Sequence, residues 1–135
     1  MTCNETKPRI LLADDHPAAL AQAARVLGEG NEIVGAVPNG LELLDAAERL
    51  DPDVVVLDIS MPGVGGFEAA RLLKQLGSRS KLVFLTVWED PDFLLEALAL
   101  GADAYVVKSR LASDLFLAVN EALAGSKFIS PGLKL

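Results

Sequence analysis

The chain has 135 residues, of which 51% are hydrophobic and 23% are charged, an ordinary balance for one globular domain with a single core. Its formal net charge of −7 argues against a nucleic-acid-binding surface, because phosphate backbones are bound by clustered Lys and Arg. The sequence shows no signal peptide and no apolar run of bilayer-spanning length, and its one cysteine, Cys3, cannot form an internal disulfide, so we expect a cytoplasmic protein.

Along the chain, short apolar runs alternate with longer segments of helical period. The runs, which predict strands, cover residues 10–13, 33–37, 54–57, 82–85 and 104–107. Most of them are almost continuously apolar, as expected of strands that are covered on both faces. The second run is the weakest, because Gly35 interrupts it.

Each predicted strand is followed by a predicted helix, and several of these helices carry end signals. Pro17 suits the first turn of the first helix and Gly28 suits its exit. Asn39 and Glu42 have the spacing of a capping box for the second helix. The five predicted helices cover residues 17–27, 41–50, 67–76, 91–100 and 112–124.

This alternation predicts an α/β fold, a doubly wound five-stranded parallel sheet with the flavodoxin-like order 2-1-3-4-5 and helices on both faces. We expect one folded domain over residues 9–126, after a disordered leader over residues 1–8. Residues 127–135 are predicted to be a C-terminal tail or the start of a linker. Right-handed crossovers place the carboxyl ends of all strands at one edge of the sheet, where ligands of such folds bind.

Polar side chains stand at the predicted carboxyl ends of four strands. Asp14 and Asp15 end the first, Asp58 ends the third, Thr86 ends the fourth and Lys108 ends the fifth. Each alone has an ordinary explanation, such as a helix cap, a turn residue or a solvated charge. Together they predict one crevice that holds three carboxylates, a hydroxyl and an ammonium group.

The residue types at this edge indicate phosphoryl chemistry. Clustered carboxylates repel one another, which raises a pKa or requires a cation, and oxygen ligands select a hard ion such as Mg²⁺. One carboxylate can then act as the nucleophile on phosphorus. An ammonium and a hydroxyl can neutralise and hydrogen-bond the equatorial phosphoryl oxygens, which is most of what phosphoryl transfer requires.

At this point the sequence resembles the receiver domains of two-component response regulators, from about residue 9 to residue 130. Asp14 and Asp15 match the acidic pair of that family, and Asp58 matches its phosphoacceptor, within a run from 58 to 63 that reads Asp-Ile-Ser-Met-Pro-Gly. Thr86 matches the switch hydroxyl, and Lys108 matches the lysine that contacts the phosphoryl group.

The resemblance implies a set of roles for this sequence. Phosphorylation draws Thr86 toward the phosphoryl oxygens, and Tyr105 falls where the family has an aromatic residue that rotates into the vacated space. This change repacks the surface formed by the fourth helix, fifth strand and fifth helix. The implied site residues are Asp58 as phosphoacceptor, Asp14, Asp15, Asp58 and Ser60 as metal ligands for Mg²⁺, and Thr86, Lys108 and Tyr105 as phosphoryl-binding and switch residues.

Three shorter runs, at residues 14–17, 101–105 and 128–131, resemble the NarL/FixJ (LuxR-type) branch of the family. Members of that branch usually continue into a helix-turn-helix domain, so the resemblance implies a role in transcription regulation, with a cognate histidine kinase as partner. DNA would then be bound only through an output domain absent from this chain, and no membrane contact is expected. The apolar residues of the last two helices are either buried or form a partner or homodimer surface.

The sequence departs from the family pattern near the expected phosphoryl site. Ser109 replaces the proline that commonly follows the lysine, which puts the usual cis peptide bond there in doubt. Val87 and Trp88 are large residues on the loop after the fourth strand. They should border the path of an attacking water and slow dephosphorylation, whereas Ser60 is too short to act as a strong base. His16 is interpreted as a loop residue.

Two other classes of protein remain as alternatives. A Mg²⁺-dependent phosphohydrolase that forms an aspartyl phosphate would resemble this site, but such haloacid-dehalogenase-like enzymes place a second Asp two residues after the nucleophile, where this sequence has Ser60. A flavodoxin-type cofactor binder would need a phosphate-binding loop after the first strand, where Asp14 and Asp15 stand instead. We therefore predict a phosphoacceptor rather than an enzyme that turns over a substrate.

Overall fold

The computed structural model describes residues 6–133. Most of the predicted leader and Cys3 lie outside the described residues. The elements are β1 (Arg9–Ala13), α1 (Pro17–Leu27), β2 (Glu32–Val37), α2 (Gly40–Leu50), β3 (Val54–Leu57), α3 (Gly66–Gln75), β4 (Lys81–Thr86), α4 (Pro91–Ala99), β5 (Ala104–Val107), a 3₁₀ turn (Lys108–Arg110), α5 (Leu111–Leu123) and β6 (Phe128–Ile129). Between residues 6 and 133, no helix combines the length and apolar character needed to cross a membrane.

The strands form one parallel sheet with the order β2-β1-β3-β4-β5-β6. The predicted fold class and the order of the first five strands are confirmed. The sixth strand was not predicted: Phe128 and Ile129 pair with Ala104 and Tyr105 at the edge of the sheet. Ser130 continues this pairing, because its backbone N–H donates to the Tyr105 carbonyl at 2.9 Å. Residues 128–130 thus pack as part of the folded domain.

Local sequence signals explain where the helices begin. The Asn39 side chain accepts a hydrogen bond from the Glu42 backbone N–H at 2.8 Å, and the Asn39 amide donates to the Glu42 carboxylate at 2.9 Å, so the predicted cap is present. Pro17 and Pro91 each open a helix at a position where the missing N–H costs nothing. Asp90 caps the second of these helices by accepting from the Asp92 N–H at 3.0 Å.

Alternating side chains of the strands fill two separate cores, one on each face of the sheet. The first, which we call the α2–α4 core, includes Leu57, Phe84 and Tyr105 from the strands and Leu43 and Leu94 from the helices. The second, the α1–α5 core, has strand residues Ile10, Leu12, Val56, Val83 and Val106 and helix residues Leu27, Leu111 and Leu115. Burying each large apolar side chain contributes roughly 1.5–3 kcal/mol, so both faces hold the sheet firmly.

Two glycines let the segment after β3 pack closely against its surroundings. A Cβ atom at Gly66 would lie 2.0 Å from the carbonyl oxygen of Asp58, and one at Gly40 would lie 2.2 Å from that of Val64. The Gly66 N–H donates to the Ile59 carbonyl at 2.8 Å. Only glycine fits at either position, and the backbone that carries Asp58 is fixed as a result.

Candidate functional site

The carboxyl edge of the sheet brings together the side chains that follow β1, β3 and β5. Backbone N–H groups of Asp14 and Asp58 continue the sheet bonding to Val37 and Ala13, each at 3.0 Å, which fixes both carboxylates. Lys108 Nζ lies 2.7 Å from Asp14 Oδ2 and 3.1 Å from Asp58 Oδ2. The two aspartates are 4% and 3% exposed, so this ion pair is shielded from water.

Electrostatics keep the lysine charged at this site. Burial alone would lower the pKa of Lys108, but its hydrogen bonds and its attraction to Asp14 and Asp58 outweigh that effect and raise the pKa. The Lys108 ammonium contacts the carboxylates of Asp14 and Asp58, and a donor oxygen of the third carboxylate, Asp15, lies within 4.8 Å of theirs. The surplus of negative charge creates a place for a divalent cation.

A fourth donor group joins the carboxylates. His16 Nδ1 lies 2.9 Å from Asp14 Oδ1 and 3.1 Å from Asp15 Oδ1. One donor atom from each of Asp14, Asp15, His16 and Asp58 lies within 4.8 Å of all the others. His16, interpreted from the sequence as a loop residue, lies in the loop between β1 and α1, and its position directly after Asp14 and Asp15 brings its ring beside them.

Thr86 stands at the same edge, and within residues 6–133 its hydroxyl forms no hydrogen bond with the charged cluster. Its side chain is fully buried at the end of β4. The hydroxyl instead accepts a long hydrogen bond of 3.4 Å from the Trp88 N–H.

Tyr105 is also fully buried, inside the α2–α4 core. Its hydroxyl donates to the Trp88 carbonyl at 2.6 Å, which ties β5 to the loop between β4 and α4. Burial, followed by the charges of Asp58, Asp90 and Glu89, raises the pKa of Tyr105 to about 12. The phenol is therefore neutral and acts as a donor at physiological pH.

Trp88 lies across the loops that follow β3 and β4. Its indole Nε1 donates to Ser60 Oγ at 3.0 Å, and its ring is tilted against Phe93 with a centroid distance of 5.1 Å. The residue is 41% exposed, and Val87 is 60% exposed. Val87 lines a surface hollow together with His16 and Lys108. The contact between Trp88 and Ser60 was not predicted, since it joins residues on different loops.

A buried carboxylate fixes the turn that carries Lys108. Asp114 on α5 accepts hydrogen bonds of 2.8 Å from both Arg110 Nε and Ser130 Oγ, and Ser130 Oγ accepts from the Val107 N–H at 3.2 Å. Burial alone would raise the pKa of Asp114, but the bonds from Arg110, Ser130 and Ser113 lower it. The backbone from residue 6 to residue 133 contains no cis peptide bond, and Lys108 begins a 3₁₀ turn instead.

Comparison with known proteins gives one consistent answer. Residues 10–120 match the response regulator receiver domain family. The chain is similar to the response regulator GacA of Pseudomonas viridiflava, with 37% identity over 91% of this chain and 58% of that protein. It is also similar to the nitrate/nitrite response regulator protein NarL of Escherichia coli, with 33% identity over 96% of this chain and 61% of that protein. The chain thus spans about three-fifths of the length of these curated relatives.

Solved structures agree with this result. A two-component response regulator of the LuxR family from Aurantimonas matches with a TM-score of 0.90 and 32% identity, over 95% of this chain and 93% of that one. A structure of two RcsB dimers bound to two parallel DNAs matches with a TM-score of 0.87 and 26% identity, over 95% of this chain and 66% of that one.

Proposed function

The chain belongs to the response regulator receiver domain family, and from that premise we propose that Asp58 accepts a phosphoryl group in a Mg²⁺-dependent reaction. The observation that carries this proposal is the buried contact of Lys108 Nζ with both Asp58 and Asp14, at 3.1 and 2.7 Å. A carboxylate held in this way at a strand end can act as a nucleophile, with a cation beside it to neutralise the incoming charge.

In the proposed reaction, one Asp58 oxygen forms a bond to phosphorus while the bond between phosphorus and the donor's leaving atom breaks. The leaving group keeps that electron pair. Asp58 Oδ1 already accepts a hydrogen bond of 2.7 Å from the Ile59 N–H, which orients the carboxylate and leaves Oδ2 on the side of Lys108. The ammonium group of Lys108 can then stabilise the negative charge that develops on the phosphoryl oxygens.

The donor set fits Mg²⁺. Asp14, Asp15 and Asp58 supply neighbouring carboxylate oxygens, in keeping with the preference of Mg²⁺ for oxygen ligands. Ser60, on the loop after β3, is proposed as a further ligand. When bound, Mg²⁺ would neutralise charge on the carboxylates and on the phosphoryl group. Three neighbouring carboxylates beside one ammonium group support this assignment, because the surplus charge needs a partner.

We further propose that Thr86 and Tyr105 transmit phosphorylation to the surface. The Thr86 hydroxyl, now bonded to the Trp88 N–H at 3.4 Å, would move to a phosphoryl oxygen, which is the stronger, charged acceptor. The backbone carbonyl of Trp88 also accepts a hydrogen bond of 2.6 Å from the Tyr105 hydroxyl. Movement of Thr86 would therefore alter the loop that holds Tyr105, and with it the packing of α4.

The experiment that tests this function is phosphorylation by acetyl phosphate with Mg²⁺, followed by intact-mass measurement. We expect one phosphoryl adduct on the parent chain and none on Asp58→Asn, which keeps the shape of the side chain but removes its nucleophile. Asp15→Ala should weaken Mg²⁺ binding sharply while leaving Asp58 in place. An undiminished adduct in Asp58→Asn would show that the acceptor lies elsewhere.

A second assay on the same protein distinguishes a phosphoacceptor from a phosphohydrolase. We propose that the chain assists its own phosphorylation and dephosphorylation and does not turn over small phosphate esters, because Ser60 stands where an acid/base Asp would be needed. Incubation with small phosphate esters and Mg²⁺ should release phosphate no faster than the Asp58→Asn variant does. Sustained turnover above that level would favour the enzyme.

We propose a cognate histidine kinase as the physiological phosphodonor, a cytoplasmic location for this chain and transcription regulation as the output. The receiver unit, predicted over residues 9–126, is proposed to extend to residue 130, because β6 and Ser130 pair with β5. A homodimer is proposed by analogy with RcsB, whose dimers have been seen on DNA. The net charge of −7 supports DNA contact only through residues outside this chain. A salt-resistant, sequence-selective gel shift by the isolated chain would contradict that view.

A further inference from the structure

The imidazole of His16 is directed at the acidic cluster. His16 occupies the N-cap position of α1, but its side chain makes no capping hydrogen bond. Its backbone is fixed on both sides, since its N–H donates to Asp14 Oδ1 at 2.9 Å and its carbonyl accepts from Ala19 and Leu20 at 3.0 and 3.1 Å. The side chain is 63% exposed, so core packing does not explain its orientation.

The two distances from His16 Nδ1 to carboxylate oxygens are those expected between adjacent ligands of an octahedral metal ion. Ligands about 2.1 Å from a divalent ion lie about 3.0 Å apart when they occupy adjacent octahedral positions. His16 Nδ1 lies 2.9 Å from Asp14 Oδ1 and 3.1 Å from Asp15 Oδ1. A cation that replaced the proton shared by His16 Nδ1 and Asp14 Oδ1 would meet these atoms at ligand spacing.

A positive charge is already placed among these donors. Lys108 Nζ lies 2.7 Å from Asp14, 3.1 Å from Asp58 and 3.4 Å from His16 Nδ1. Three of the four donor groups thus lie next to one ammonium group, so a positive charge already occupies this part of the cluster.

We propose that His16 is a direct ligand of the divalent cation in this site, so that the site binds a borderline transition-metal ion more tightly than Mg²⁺. This inference rests on the proposed function, because it concerns the same metal site. Carboxylates alone suit hard ions, whereas an imidazole nitrogen favours ions such as Ni²⁺ and Zn²⁺, whose affinity for nitrogen donors is higher. The metal that occupies the site therefore depends on His16 as well as on the acidic residues.

The test compares metal affinities by calorimetry in a Cys3→Ser background without a polyhistidine tag, so that the single thiol and added imidazoles cannot compete. We expect Ni²⁺ to bind more tightly than Mg²⁺. His16→Ala should weaken Ni²⁺ binding about tenfold or more, the usual range for losing a group that supports a metal, and should change Mg²⁺ binding no more than about twofold, because water can replace an imidazole on a hard ion. Equal losses for both ions, or no loss for Ni²⁺, would overturn the proposal.

A second measurement identifies the ligand directly. The chain contains one histidine, so pulsed electron paramagnetic resonance of bound Mn²⁺ should show coupling to an imidazole nitrogen that disappears in His16→Ala. Mn²⁺ that binds without nitrogen coupling refutes the role of His16 and leaves the carboxylate site intact. If none of Mg²⁺, Mn²⁺ and Ni²⁺ binds, the metal site of the proposed function is refuted instead. The Asp15→Asn variant shows the level of binding expected from a damaged site.

Discussion

Removal of the Trp88 indole should speed the hydrolysis of phosphorylated Asp58. Water must approach in line with the bond between Asp58 and phosphorus, and the indole lies across the loops that border this approach. Two contacts keep it there, the 3.0 Å hydrogen bond from Nε1 to Ser60 Oγ and the ring pair with Phe93 at 5.1 Å. If the ring must swing away before water can attack, breaking these contacts is part of the barrier.

The size of the effect follows from those two contacts. A typical hydrogen bond contributes about 0.5–1.5 kcal/mol, and an aromatic pair about the same. Their sum, roughly 1–3 kcal/mol, corresponds to an acceleration of about five- to a hundredfold, at about 1.4 kcal/mol for each factor of ten. Trp88→Phe keeps the ring but loses Nε1, so its acceleration should be only about two- to tenfold.

The assay is the decay of phosphorylated protein at fixed Mg²⁺, measured by intact mass after the phosphodonor is removed. Trp88→Ala should decay fastest, followed by Trp88→Phe. Val87→Ala should also decay faster than the parent, because Val87 borders the approach beside Lys108. Leu95→Ala is the matched control, since it removes an exposed apolar side chain of α4 that belongs to neither core. Decay at the parental rate in both Trp88→Ala and Val87→Ala would show that neither residue limits access of water.

Three further predictions concern residues around the site. Ser130→Ala should lower the free energy of unfolding by about 1–3 kcal/mol in urea titrations, because it leaves the buried Val107 N–H without an acceptor, whereas the exposed Ser109→Ala should change it little. The carboxylate of Asp114, whose pKa lies below its usual 3.8, stabilises the fold above that pH. The stability advantage over Asp114→Asn should therefore shrink as pH falls through the lowered pKa. The single tyrosine, Tyr105, should ionise near 12 rather than 10.0 in an absorbance titration; stability should fall as pH rises between these values, and a midpoint near 10.0 would contradict its burial.

The parallel sheet and the meeting of Asp14, Asp58 and Lys108 could be predicted because both follow from strand order. Once strands and helices alternate, right-handed crossovers place the carboxyl ends of all strands at the same edge of the sheet. This holds for any conformation of the side chains. Even the weak second strand is present. Gly35 pairs with Leu11 next to a shift in register, at a point where a Cβ would lie only 3.0 Å from the Leu11 side chain.

Contacts that depend on side-chain conformation could not be predicted in the same way. The hydrogen bond from Trp88 to Ser60 joins two residues that lie 28 positions apart in the chain, on different loops. No periodic pattern in the sequence encodes this contact. The strand Phe128–Ile129 has two residues, too few for an alternating pattern to be recognised. It is held in place through Ser130 and the buried Asp114, which in the sequence is simply one more acidic residue on a helix.

Because the interior is divided into two cores, residues that are neighbours in the chain pack in different environments. Val83 and Phe84 are consecutive residues, yet Val83 packs in the α1–α5 core and Phe84 in the α2–α4 core, where Tyr105 lies. The backbone sheet between them acts as a partition, so a loss of volume on one face is not relieved by repacking on the other. Truncations of Phe84 and Tyr105 should therefore show a large coupling energy in a double-mutant cycle, whereas truncations of Val83 and Tyr105 should be close to additive. In a receiver built in this way, repacking around Tyr105 and α4 on one face of the sheet need not disturb the core on the other face.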